Sequence, residues 1–349
     1  MEINDLEFYL VEIECSEPEQ PVRSVLVRLM SESGLEGWGE SALRWEASEL
    51  PGRRDTLLPV LAGRSVFDIE ELLALPALSQ PPLRAALEMA CWDLVGRVTG
   101  QPLCHLFGGG YRTRIPLAVR LPTGSTDHAV GIARELAEQG FHSQIVPASG
   151  RVEEDVRRLA AIRESIGDRA ELRFDGAGAF ESEAARDLCA ELEEGGLQFL
   201  LDPLKTAELQ AVASLARQTN VPMAVSRPIH GPRDVLAAVR SSAALFVVVE
   251  LGRVGGIVSA RNSAAVAEAG GIAALLSTGP SLGIATAAML QLAAATPAFS
   301  GCNECAYPQL LDDVLAEPFE IIDGRMTVPQ GPGLGIEIDR AKAERYQVT

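Results

Sequence analysis

Lysine is nearly absent from this chain. Of its 30 basic residues only Lys205 and Lys342 are lysine, leaving 28 arginines, and no lysine lies between Met1 and Leu204. Chemistry that depends on several catalytic lysines is thereby almost excluded. Positive charge is short as well: 48 acidic residues against 30 basic ones give a net charge of −18. Such a surface repels nucleic acid and other polyanions. The N-terminus opens acidic, with no basic run before an apolar core, so no signal peptide is visible and a cytoplasmic protein is expected. The six cysteines are scattered, mostly within apolar segments, as expected of small buried residues in a reducing compartment. Cys302 and Cys305 form the one C-x-x-C, and no further ligands at zinc spacing accompany it. Long apolar spans are missing too. No charge occurs between Glu268 and Glu304, but Thr278-Gly279-Pro280-Ser281 and Gln291 break that stretch. It reads as strand, loop and buried helix, and no membrane partner is expected.

What is present is ordinary globular composition, 47% apolar and 22% charged, in a 349-residue chain long enough for one large domain and a smaller one. Residues 5–42 read mainly as strands, and Gly34-Leu35-Glu36-Gly37 supplies a turn. In 83–98, Leu83, Leu87, Ala90, Leu94 and Val98 recur at three or four residues and predict an amphipathic helix. The glycines 108–110 close an α+β unit over 1–112. Beyond it, short apolar runs recur about every 25 residues, at 115–121, 143–148, 172–175, 197–201, 223–225, 245–250, 272–276 and before Glu304, most of them followed by a helical pattern. Eight such strands predict a parallel barrel over 113–315. The tail, 316–349, reads as strand and turn that returns to the N-terminal unit.

Several stretches then carry a resemblance. They are Gly37-Trp38-Gly39-Glu40, Ala86-Leu87-Glu88-Met89-Ala90-Cys91-Trp92-Asp93-Leu94, Leu106-Phe107-Gly108-Gly109, Leu172-Arg173-Phe174-Asp175-Gly176-Ala177-Gly178, Gly252-Arg253-Val254-Gly255-Gly256, Leu310-Leu311-Asp312-Asp313 and Val328-Pro329-Gln330-Gly331-Pro332-Gly333. In this order they resemble the enolase superfamily, in its muconate-lactonizing and mandelate racemase-like branch, over nearly the whole chain. The resemblance implies an α/β fold, a (β/α)7β TIM-like barrel under an N-terminal α+β capping domain, in a homo-oligomer. It also implies a magnesium ion held by three strand-end carboxylates, and lysines that abstract a proton α to a carboxylate. A fixed cation beside the nascent enolate is what that chemistry requires.

The residues at those positions depart from the pattern. Ile145 and Pro147 stand where the second barrel strand should carry two lysines. Asp175 is the only retained metal-ligand position. Leu201 takes the place of the next ligand with Asp202 one residue out, Ser226-Arg227 replaces an acidic pair, and Glu250 replaces the sixth strand's lysine. Glu304 matches a family acid on the last strand.

Asp175, Arg227 and Glu250 are therefore the candidate catalytic residues. They are expected either to close a buried ion pair across the barrel mouth, with Arg227 in place of the missing cation, or to hold a substrate carboxylate. Ser226, Ser281 and Glu304 are candidate ligand-binding residues. The segment 277–283 reads as a plain strand-to-helix turn or a cradle for a small anion. His230 reads as a surface residue and His142 as lying at a strand's entry. No cofactor is expected, and the partner is a small carboxylate or other anion. The functional expectation is a non-catalytic or anion-binding homologue. The alternatives are an isomerase (cycloisomerase, racemase or epimerase) or lyase with altered, metal-free chemistry, and an ordinary cycloisomerase or racemase.

Overall fold

A computed structural model describes residues 1–16, 20–193 and 195–348. Three antiparallel strands, β1 (Ile3–Ile13), β2 (Val22–Ser31) and β3 (Glu36–Ser41), form the capping sheet in that spatial order. Alternation along β1 buries Leu6, Phe8 and Leu10 against a helical layer whose main member is the helix Pro81–Thr99. That helix comes so close to β3 that a Cβ on Gly37 would lie 2.2 Å from the Ala90 carbonyl oxygen, and one on Gly39 only 1.8 Å from that of Ala86. Only glycine fits there. The helix's apolar stripe ends at Leu94: Val98, assigned to it from spacing, is 41% exposed in the last turn before the left-handed cap at Gly100.

Eight parallel strands follow: β4 (Arg114–Arg120), β5 (Ser143–Pro147), β6 (Glu171–Asp175), β7 (Leu197–Leu201), β8 (Met223–Val225), β9 (Phe246–Glu250), β10 (Ala273–Ser277) and β11 (Asn303–Glu304). Each pairs with the next, and β11 pairs back onto β4. The ring closes, so this is the (β/α)7β barrel under an α+β cap. Most of its helices are amphipathic as the period-3.6 pattern requires; in Val152–Ile166, Leu159, Ile162 and Ile166 are buried. The uncharged stretch resolves into β10, a loop and the wholly buried helix Gly283–Ala295. Among the described residues no helix is long and apolar enough to cross a membrane.

A hairpin, β12 (Ile321–Ile322) and β13 (Arg325–Thr327), adds antiparallel to β4, whereas the chain end returns to the cap, where Val348 donates its N–H to the Leu10 carbonyl. Carboxylates fasten the cap to the barrel. Glu40 accepts hydrogen bonds from the N–H groups of Leu282 (2.6 Å) and Ala285 (2.9 Å), at the start of helix Gly283–Ala295, and from the Ser24 hydroxyl (2.8 Å). Glu88 accepts from the Val258 N–H (2.9 Å) at the start of helix Ile257–Ala269. Both acids sit at helix N-termini, where unpaired N–H groups and the helix dipole favour them. Burial nevertheless pushes both carboxyls up, Glu88 to about 7.

Candidate active site

The strand ends meet the cap around a cavity of about 760 Å³. From the barrel come Ala118, Arg120, Ile145, Ser277 and Glu304, and from the cap come Val22, Arg23 and the segment that follows β3, including Arg44, Trp45 and Glu46. Its walls therefore combine apolar surface with a few charged groups, the usual make-up of a small-molecule site.

Asp175 ends β6, and its carboxylate accepts from the Arg120 guanidinium at 2.5 Å and from the Ala177 N–H at 3.0 Å. Arg120, the last residue of β4, is thus the cation beside Asp175. This corrects the expected Asp175–Arg227–Glu250 pairing. Asp202 adopts a left-handed backbone (φ 43°), and its carboxylate binds the N–H groups of Ser226 (3.1 Å) and Arg227 (2.9 Å). Burial pushes that carboxyl up to about 6. With its backbone held there, Arg227 points its guanidinium at the carbonyls of Leu204 (2.9 Å) and Lys205 (3.3 Å). Glu250 pairs instead with Arg253, three residues on, at the first turn of a short helix.

Glu304 lines the cavity and forms an ion pair with Arg173 at 3.1 Å. Arg173 lies inside the barrel, 1% exposed along its side chain, and also donates to Gln198 Oε1 (2.6 Å) and the Cys302 carbonyl (2.9 Å). Its guanidinium carbon sits 5.0 Å from the Phe199 ring centre. Burial pushes the Glu304 carboxyl up, against the opposing pull of Arg173 and Arg120. On the cap side, Arg23 pairs with Glu46 at 2.9 Å. Arg44 is exposed on the cavity wall and has no hydrogen-bond or ion-pair partner among the described residues.

Ser226 is buried and held through its N–H by Asp202, away from the cavity lining. Ser281 and Glu250 line a separate, smaller chamber. The segment 277–283 is no open anion cradle, because the protein's own carboxylates fill it: Glu40 takes the N–H groups of Leu282 and Ala285, and Asp313 takes that of Gly283 at 3.2 Å. His230 is exposed, and His142, also exposed, sits beside the Arg169 carbonyl at the barrel's entry end. Cys302 and Cys305 are free thiols whose pKa values burial raises, that of Cys305 to about 12, which makes both poor nucleophiles.

The comparisons agree on kinship. Residues 15–108 match the mandelate racemase/muconate lactonizing enzyme N-terminal domain, and residues 129–342 match the enolase C-terminal domain-like family. The chain belongs to the enolase superfamily. A chloromuconate cycloisomerase from Cupriavidus pinatubonensis is 30% identical over 99% of both chains. Among solved structures, a muconate cycloisomerase from Azorhizobium caulinodans (29% identity, TM-score 0.87) covers 99% of this chain and 98% of its own. An isomerase from Streptomyces coelicolor A3(2) is as similar, at 29% identity and a TM-score of 0.88 over the same shares.

Superfamily members use Mg2+, a hard cation that needs oxygen ligands, chiefly carboxylates. The donors at these strand ends do not fit one. Asp175 is committed to a guanidinium, Asp202 to two backbone N–H groups, and Leu201 ends β7 between them. Among the described residues no group of three or more His, Cys, Asp or Glu side chains is placed to hold a metal ion.

Proposed function

We propose that this muconate cycloisomerase-like chain binds a small carboxylate in the cavity beneath its cap, without the metal-assisted α-proton abstraction of its relatives. One observation carries the reading: Asp175, the position that the family resemblance assigns to a metal ligand, is ion-paired with Arg120. For Mg2+ to bind at Asp175 it would have to displace that guanidinium from a partly buried ion pair.

The cavity's own charges favour an organic anion. Arg23, Arg44 and Arg120 line it against Glu46 and Glu304, and Arg44 has no partner among the described residues. In a chain of net charge −18 this is a local reversal of sign. A carboxylate can accept charge-assisted hydrogen bonds from Arg44 and Arg120, while Val22, Ile145 and Trp45 exclude water from its carbon skeleton.

Calorimetry with magnesium chloride and with cis,cis-muconate tests the proposal. Magnesium is expected to give no saturable heat. Muconate is expected to bind, more weakly as salt rises, and to lose binding in Arg120→Gln. Micromolar magnesium affinity, or deuterium exchange at the carbon next to a carboxylate, would overturn it.

One observation favours a second reading, an isomerase or lyase that works without metal. Glu304 faces the cavity, where its carboxyl could exchange a proton with a bound anion, and burial raises its pKa against the pull of Arg173. Turnover that survives EDTA and is lost in Glu304→Gln would establish it.

A further inference from the structure

Arg120 is the last residue of β4, where the sheet's own hydrogen bonding runs out on one side. The Leu121 N–H donates to the Ile145 carbonyl on β5, so the carbonyl of Arg120, one residue back along the strand, faces the other neighbour, β11. That strand is two residues long and stops at Glu304, opposite Ala118. Its ladder ends before it reaches Arg120, and the carbonyl there needs a donor from elsewhere.

Gln309 supplies the donor. Its Nε2 lies 2.9 Å from the Arg120 carbonyl oxygen. A carbonyl can only accept, so the NH2 end of the amide is fixed toward β4. Gln309 is half-buried, lines the main cavity and closes the single turn Tyr307–Gln309 that follows β11.

The turn is itself anchored to the cap. The Gln309 carbonyl accepts from the Ser16 N–H (2.8 Å) and the Leu311 N–H donates to the Glu14 carbonyl (3.0 Å), so 309–311 run antiparallel to the chain that leaves β1. Just beyond, the Asp312 carboxylate accepts from Lys342 Nζ (3.0 Å) and Tyr346 Oη (2.6 Å) in the returning chain end. One residue therefore joins the cap through its main chain and the strand end beneath Arg120 through its side chain.

We propose that Gln309 is a positioning residue of the carboxylate site, holding the strand end that carries Arg120 in register with the cap. This rests on the carboxylate reading of the cavity. Gln309 acts through Arg120: with the carbonyl held, the guanidinium reaches Asp175 and the cavity from a fixed origin. Without the donor, the last peptide of β4 is free to turn, and both the ion pair and the grip on an anion loosen.

Two variants of the full chain test it. Gln309→Met keeps the length of the side chain and removes the donor, whereas Gln309→His returns a ring N–H at similar reach. In calorimetry with cis,cis-muconate, Gln309→Met should weaken binding about fivefold, the usual net worth of one hydrogen bond, and Gln309→His should recover most of the loss. Crystals of Gln309→Met should show Arg120 turned away from Asp175 or in two conformers. A merely structural role would lower the melting temperature and leave the affinity as it was. The inference is overturned if Gln309→Met binds muconate as tightly as the parent, if Gln309→His weakens binding as much as Gln309→Met does, or if the Arg120–Asp175 pair of the Gln309→Met crystals superposes on the parent's. A parent chain that binds no muconate would count against the carboxylate cavity, and the crystal comparison would still decide whether Gln309 positions Arg120.

Discussion

Asp313 should make the protein less stable as the solution turns alkaline, and Asp313→Asn should remove that sensitivity. Its Oδ1 accepts from the N–H groups of Gly283 (3.2 Å) and Val314 (2.7 Å), while Oδ2 is buried with no partner. Burial, with the nearby Glu40 adding to it, pushes the carboxyl up to about 7; Lys342 pulls the other way. In the unfolded chain an aspartate titrates near ~3.9. The folded protein therefore holds a proton that the unfolded chain releases. Stability from this group is full below about pH 4 and is lost as pH rises through about 7. About three pKa units at ~1.4 kcal/mol each set an upper bound of ~4 kcal/mol. Asparagine keeps an oxygen for the two N–H groups, places an NH2 donor where Oδ2 has none, and does not titrate. Urea unfolding, followed by the fluorescence of Trp38, Trp45 and Trp92, is the assay, run at intervals from about pH 4 to about pH 8. The two proteins should have similar midpoints at the acid end, and the variant should be the more stable at the alkaline end. Glu88, pushed to about 7, and Asp202, pushed to about 6, slope the same way in both proteins, so the difference isolates Asp313. Parallel curves would refute the reasoning.

Arg173→Met should destabilise by about 3–5 kcal/mol, because it strands the Glu304 carboxylate in the barrel. Since Glu304 can then take up a proton, the loss should shrink as pH falls, and a urea midpoint that is equally low at every pH would contradict this. Gly39→Ala drives a methyl group into the Ala86 carbonyl and should cost about 3 kcal/mol or expose the cap to proteolysis; a digestion pattern like the parent's would count against it. Arg44→Gln should leave the melting temperature unchanged, since no described residue pairs with that guanidinium, while weakening muconate binding and flattening its salt dependence. Equal affinity in parent and variant would remove Arg44 from the site.

The barrel was legible because its eight runs and their helices are spaced by local periodicity, which neighbouring residues set. The roles of the shared stretches were less so. Gly37-Trp38-Gly39-Glu40 and the segment around Glu88 identify kinship, yet Glu40 and Glu88 act on helix starts 242 and 170 residues away in the chain. No spacing rule reaches that far. The Arg227 pairing failed for a comparable reason: the left-handed turn at Asp202, a conformation uncommon outside glycine, places the carboxylate that holds the 226–227 backbone. Arg120 carries little signal in the sequence although it closes the apolar run of β4, because the acids and lysines that the resemblance implies fall on other strands. Arg173 had a usable signal. It lies two residues before Asp175 on β6, and a strand's period of two puts both on the same face.

Arg173, stacked on Phe199 and tied to Glu304, stoppers the barrel below the cavity, and Val248 and Leu275 pack the same interior. For a carboxylate bound as proposed, the charged groups at the cap, Arg23, Arg44 and Glu46, would then govern occupancy more than the barrel that carries the recognisable fold.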